Sequence, residues 1–275
     1  MKRITAIFLS VLVLSCGLMQ AQGKKEDIVQ VTISTKKDKL IDVQNKTVKV
    51  VLGGDDLCSL ALRDAVKNSW WLSPYEFCGM EDFRKLRSND NFYFLYMVTR
   101  DDGINYLRLA KGGSDDIDSM LEAVTFPFCP SDGFTGREGS YMPALLDIMQ
   151  EYVERSLSDG FKNVSTMVTK MPKDGLKLIF DEYDLGPVDG KTRGKCLEGR
   201  IYDSTDAADA IHYGTADTAV GYTIFPVNAS TGVCYKMLLD ARTHDLYYFR
   251  KHKIASPEDK GFLKKDIRTL TKGAE

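Results

Sequence analysis

The sequence predicts an α/β protein with mixed sheets, built as two loosely repeated β-α-β-α-β-β units joined by a helix. Three observations predict it. Runs of β-branched and aromatic residues alternate with stretches whose apolar residues recur at three-and-four spacing, the periods of strand and helix. The second half repeats this order loosely. The composition, 43% hydrophobic and 28% charged over 275 residues, is that of a folded protein and excludes disorder, collagen and a multi-span membrane protein.

Residues 1–21 read as an export signal. Lys2 and Arg3 precede an apolar run over 7–14, too short for the ~20 residues a spanning helix needs. Met19-Gln20-Ala21 offers a signal-peptidase site before Gln22, whereas Val13-Leu14-Ser15-Cys16 has the form of a bacterial lipobox whose Cys16 would carry lipid. The expectation is a periplasmic or envelope-associated protein. A lipoprotein, touching membrane only through Cys16, is the alternative.

Residues 22–45 form a polar, lysine-rich arm with one alternating stretch, Val29, Val31 and Ile33 against Gln30, Thr32 and Ser34, that suits an edge strand. The first α/β unit, 46–135, opens with a strand over 46–52 and a Gly53-Gly54 turn. Asp55 or Asp56 caps a helix whose stripe is Cys58, Ala61, Leu62, Ala65, Val66 and Ser69, and Ser73-Pro74 stops it. A strand at 75–78, a helix at 80–87 and a buried strand at 92–99 follow. Asp101-Asp102-Gly103 signals a hairpin into a strand at 104–109. Residues 115–124 have helical character, and 125–140, with Pro127, Pro130 and several glycines, read as a loop or boundary.

Pro143 opens the clearest helix in the chain. Leu146, Met149, Tyr152, Val153 and Leu157 share one face, Glu151 and Arg155 are spaced to pair, and Gly160 terminates it. This connector begins the second unit, 140–255, with strands expected at 176–181, 200–203, 218–226, 233–240 and 246–253 and a helix at 206–213. Residues 256–275 read as a basic terminal helix or tail. Between positions 250 and 272 lie eight Lys or Arg and three Asp or Glu, which suits a solvated helix face or an acidic partner. The whole chain carries 37 basic and 39 acidic groups, and loss of Lys2 and Arg3 with the signal leaves 35 against 39, a net of −4. Such a balance offers nucleic acid no global attraction.

In the run Trp70-Trp71-Leu72-Ser73-Pro74-Tyr75-Glu76-Phe77, and again at Tyr93-Phe94-Leu95, the chain resembles uncharacterised exported α/β proteins of the Bacteroidetes. The hairpin over 235–240 and Leu246-Tyr247-Tyr248 carry the same resemblance in the second half. It implies export and an α/β fold, and it transfers no catalytic residue because that family has no assigned activity. The element order of the first unit is also similar to the amino-terminal domains of Tol-system propellers and curli-secretion lipoproteins, a likeness of fold alone.

Candidate sites are few. Gly186-Pro187-Val188-Asp189-Gly190-Lys191-Thr192 follows a strand as a phosphate loop does, but only three residues separate its glycines and Leu185 holds the required glycine position, so a basic loop is expected. Gly53-Gly54-Asp55-Asp56 occupies the strand-to-helix turn where α/β folds take ligands, although its carboxylates repel phosphate and suit a cap. Asp115, Asp116 and Asp118 lack the spacing of a calcium loop. His244 and His252 bracket one hairpin strand, too far apart to share a metal; His244 reads as a turn residue, and His212 stands alone. Cys58, Cys78, Cys129, Cys196 and Cys234 match no zinc spacing, and their odd number leaves at least one unpaired within the chain.

No metal, cofactor or catalytic residue is therefore assigned. The densest aromatic cluster, Trp70, Trp71 and Tyr75, is the candidate ligand-binding surface: two adjacent tryptophans at a helix end cannot both face one core, which leaves one to stack on a sugar or protein partner. The same cluster also suits filling the gap between helix and sheet. The functional expectation is a non-enzymatic binding or envelope-assembly module with a protein or glycan partner. The alternative is a hydrolase acting on an envelope or dietary polymer through carboxylates the sequence does not single out.

Overall fold

The computed structural model describes residues 31–273 apart from positions 35, 55, 133, 173, 174 and 229. The export signal, Cys16 and the Val29 end of the expected edge strand lie outside the described residues, as does Asp55. The fold is mixed α/β, with two five-stranded sheets. The first contains β1 (Thr47–Leu52), β2 (Tyr75–Gly79), β3 (Phe92–Thr99), β4 (Ile104–Lys111) and β5 (Leu121–Pro130), in the order β2-β1-β3-β4-β5. β1 runs parallel to β2 and β3, and β4 and β5 follow antiparallel.

The second sheet contains β6 (Lys177–Asp181), β7 (Ile201–Tyr202), β8 (Thr218–Ile224), β9 (Gly232–Asp240) and β10 (Leu246–Ile254), in the order β7-β6-β8-β9-β10. Its pairings match those of the first strand for strand: β6 parallel to β7 and β8, then β9 and β10 antiparallel. Each half is thus the same unit, and the first holds one more antiparallel strand, β5, than its sequence pattern suggested.

Helix α1 (Leu57–Ser69) links β1 to β2, and α2 (Met80–Leu86) links β2 to β3. The chain moves along the sheet in opposite directions at these two steps, so right-handed crossovers place the two helices on opposite faces. The packing agrees: Leu62 and Val66 of α1 join the central core, whereas Phe83 of α2 packs on the outer face with Phe94 and Tyr96. In the second half the short α4 (Gly190–Thr192) and a π turn at 193–197 lead to the outer face, and α5 (Ser204–His212) lies on the inner one. The inner faces of the sheets share one core around α3 (Gly136–Ser158). Tyr141 of α3 stacks on Tyr222 of β8 at 4.0 Å, and Tyr106 of β4 meets Tyr235 of β9 edge-to-face. α6 (Lys264–Gly273) closes the outer face of the second sheet with Ile267 and Leu270.

Five expectations are corrected. Residues 115–124 are not a helix; a single 3-10 turn, Ile117–Ser119, leads into β5, which also takes positions 125–130 of the expected loop. β5 accepts Pro127 because it is an edge strand, and the register slips there, from the Asn105 and Cys129 pair to Tyr106 and Pro127. α3 begins at Gly136 instead of Pro143, since Thr135 accepts a hydrogen bond from the Arg137 N–H and Glu138 accepts one from the Thr135 N–H at 2.7 Å. The described part of the arm is packed and holds no strand: Leu40 and Val43 are fully buried, and the Ile33 N–H donates to the Tyr152 hydroxyl at 2.8 Å. Finally, α1 stops at Ser69, short of Ser73-Pro74, because the buried Gln150 of α3 accepts from the Trp71 and Leu72 N–H groups and donates to the Ser69 carbonyl. Among the described residues no helix is long and apolar enough to cross a membrane.

Candidate functional site

The order β2-β1-β3 makes the carboxyl ends of β1 and β3 a switch point, where crossovers that leave in opposite directions hold α1 and α2 apart. Open α/β sheets take ligands in such crevices. Here the crevice has a volume of about 500 Å³. Its floor is Val51 and Gly53 at the end of β1 together with Tyr96, Met97 and Val98 of β3. α1 contributes Cys58, Ser59 and Leu62, α2 contributes Met80 and Phe83, and the polar rim is Thr99, Asn105, Arg108 and Asp118.

Local sequence explains the α1 wall. Asp56 caps the helix, its carboxylate accepting from the Ser59 N–H at 3.0 Å and the Ser59 hydroxyl at 2.7 Å. Those two bonds from Ser59 hold the Asp56 carboxyl below the usual carboxylate range. Arg108 is anchored on the other wall, its Nε 3.2 Å from Glu122 and 3.3 Å from the Thr125 hydroxyl, with the guanidinium 5.9 Å over the Tyr96 ring. The Tyr96 hydroxyl is buried without a well-formed hydrogen bond among the described residues. Burial raises that phenol, with Arg108 working against the rise. The crevice therefore combines apolar walls, a neutral phenol and a guanidinium that already has an acidic partner. An open depression of about 640 Å³ beside Leu185, Pro187 and Asp189 is larger, but it is shallow and walled by turns.

The equivalent crevice of the second unit, at the ends of β6 and β8, is plugged. Arg137, from the first turn of α3, donates to Asp181 at 2.9 Å and to Asp184, and its guanidinium lies 4.9 Å over Tyr183 and 5.1 Å over Tyr222. Asp184 also accepts from the Thr223 N–H at 3.0 Å. Burial pushes the Asp184 carboxyl up to about 6, although Arg137 and Thr223 pull it down. One unit leaves this crevice open, and the other fills it with a buried charge network.

The sequence-predicted aromatic cluster lies at the opposite end of the first sheet, beside the amino end of β2. Trp70 is 9% exposed and its Nε1–H donates to the Ser73 carbonyl at 3.0 Å, while Trp71 is 47% exposed. Tyr75 is half-buried and packs edge-to-face on Phe77 at 5.5 Å. Among the described residues neither tryptophan makes a ring contact with the other or with Tyr75. In the segment expected as a basic loop, positions 186–189 carry no regular structure and only the end is helical, in α4. Asp189 accepts from the Thr192 N–H at 2.9 Å and pairs with Lys264 at 2.6 Å, and a Cβ on Gly186 would lie 2.6 Å from the Lys260 carbonyl oxygen.

His244 holds a left-handed turn conformation, φ 61°, and its Nδ1 is 2.6 Å from Asp147 of α3. His252 contacts the Asp259 carbonyl, and His212 packs on Tyr213. Among the described residues no group of three His, Cys, Asp or Glu side chains is placed to hold a metal. Sequence reasoning singled out the Gly53–Asp56 turn but missed the rest of the crevice, since Tyr96, Met97, Asn105 and Arg108 carry no local motif. The repeated unit was the available signal, because its strand order locates the switch point. Comparison with protein-family models, with curated proteins and with solved structures finds no match to this chain.

Proposed function

We propose that this chain is an exported, non-enzymatic binding module whose ligand, a small and largely apolar uncharged molecule, sits in the crevice at the carboxyl ends of β1 and β3. The observation that carries the reading is the contrast between the two units: one switch-point crevice is open, lined by Phe83, Tyr96, Met80 and Met97, and its counterpart is filled by Arg137. Apolar walls with a few polar groups are the usual makeup of small-molecule sites. The Asp56 carboxylate at the mouth disfavours anions, and Arg108 has Glu122 as its partner. Of the two carboxylates at the crevice, Asp56 has both oxygens engaged by Ser59 and Asp118 is exposed on the rim, so neither is held as a buried acid for hydrolysis. Export is part of the reading and rests on residues 1–21.

The test is titration with N-phenyl-1-naphthylamine, a neutral apolar fluorophore. Saturable enhancement is expected at one site, lost in Met97→Trp, which fills the crevice, and retained in Trp71→Ala. Enhancement unaffected by Met97→Trp, or none at all, rejects the crevice. Loss in Trp71→Ala alone moves the site to the aromatic cluster.

A further inference from the structure

Five cysteines lie among the described residues, and two of them meet. Cys58, on the first turn of α1, has its Sγ 3.8 Å from the Sγ of Cys129, near the end of β5, although 71 residues separate them in the chain. The other three, Cys78, Cys196 and Cys234, have no such sulfur neighbour among the described residues. We infer that Cys58 and Cys129 are a reversible disulfide pair that, when oxidised, staples the amino end of α1 to edge strand β5.

The separation is van der Waals contact, and a bond requires the sulfurs to close from 3.8 Å to ~2.05 Å. The two thiols are unequal in a way that suits exchange. Cys58 is half-buried and lines the crevice, so a reagent can reach it. The neighbouring Cys129 S–H favours its thiolate and lowers its pKa, against burial and the Asp56 and Glu138 carboxylates. Cys129 is buried, receives a weak bond from the Asn105 amide at 3.6 Å, and retains its proton strongly because of Cys58 and burial.

The chemistry needs an oxidant of the disulfide class, small or protein-borne. The Cys58 thiolate attacks one sulfur of that disulfide and expels a thiolate, leaving a mixed disulfide on Cys58. Cys129 loses its proton, attacks the Cys58 sulfur and expels the second thiolate. Two protein thiols and one external disulfide become one protein disulfide and two external thiols, so atoms and electrons balance. The bond closes a long loop and restricts the unfolded chain. Of the five cysteines it leaves three, Cys78, Cys196 and Cys234, as thiols.

The test uses the folded full chain incubated with oxidised glutathione, quenched in acid, alkylated and digested. The expected product is a single cross-linked species joining the Cys58 and Cys129 peptides, with alkylated Cys78, Cys196 and Cys234. Dithiothreitol should reverse it, and oxidation should raise the thermal midpoint by about 10 °C in the wild type but not in Cys129→Ser. Alkylation of both Cys58 and Cys129 after treatment, a stable glutathione adduct on Cys58, or a cross-link to any other cysteine overturns the inference. The reading on the wild-type protein stands whether or not a serine variant folds.

Discussion

Lys236 of β9 and Asp266 of α6 form an ion pair from which water is excluded, their side chains 2% and 1% exposed. Asp266 also accepts from the Tyr248 hydroxyl at 2.6 Å and the Leu263 N–H at 2.9 Å. The carboxyl-terminal stretch, basic by count, is therefore held to the second sheet by its one buried acid, while Lys264, Lys265, Arg268 and Lys272 stay exposed as the solvated basic face of α6. Removing one partner of a buried pair strands the other charge, whereas replacing both with apolar groups is often neutral. Lys236→Met is expected to cost about 3–5 kcal/mol. Lys236→Met combined with Asp266→Leu should recover most of that loss, measured by urea unfolding.

Two buried acids should give stability opposite pH dependences. Burial raises the folded-state pKa of Asp184 from 3.8 to about 6, so its contribution is fully present below pH ~4 and is lost as pH rises through ~6. The advantage of the wild type over Asp184→Asn should therefore shrink by roughly 2 kcal/mol between pH 4 and pH 7. For Asp266, burial acts upward but the bonds from Lys236, Tyr248 and Leu263 outweigh it, and its pKa is lowered. Its contribution is present above the unfolded carboxylate value and is lost as pH falls through the folded one. Asp266→Asn should accordingly flatten acid unfolding. Denaturant midpoints across pH 3–7 check both signs.

Gly221 of β8 has no room for a side chain: an added Cβ would lie 2.6 Å from Phe180 Cδ1 and 3.1 Å from Phe262 Cε2. Gly221→Ala is expected to destabilise by about 1–3 kcal/mol through overpacking. Phe180→Leu in the same chain should relieve part of the loss, a coupling that a double-mutant cycle reads directly.

The adjacent tryptophans should separate cleanly in a thermal melt. Trp70 fills core space and satisfies its indole N–H on Ser73, so Trp70→Ala should cost about 3–5 kcal/mol. Trp71 presents half its surface to solvent, and its backbone N–H keeps its bond to Gln150 whatever the side chain. Trp71→Ala should change stability by under about 1 kcal/mol.

Thr135→Ala removes the hydroxyl that accepts from the Arg137 N–H at the start of α3. A cost of about 1 kcal/mol is expected. Because Arg137 lies in that first turn, the loss should also loosen its hold on Asp181 and Asp184, visible as faster amide exchange at Thr223.

The sequence by itself determined what neighbours within a turn or two can enforce. The aromatic and β-branched run at 92–99 is β3 residue for residue, and Asp56 caps the helix its position announces. The alternation of strand and helix periods was enough for the α/β class and for the repeat. The Gly53–Asp56 turn reads as a helix cap, and Gly53 and Asp56 also form one corner of the crevice. Pro127 and Pro143 misled because a proline is a break only if its missing N–H was needed. An open sheet edge spares the first, and the packed length of α3 carries the second. Tertiary structure alone decided the rest: Gln150 ending α1, Arg137 plugging one crevice while its counterpart stays open, Asp266 finding Lys236, and Cys58 meeting Cys129. Each joins residues tens of positions apart. Such pairings follow from how two twisted sheets close on a shared helix, and no local period or cap carries that information.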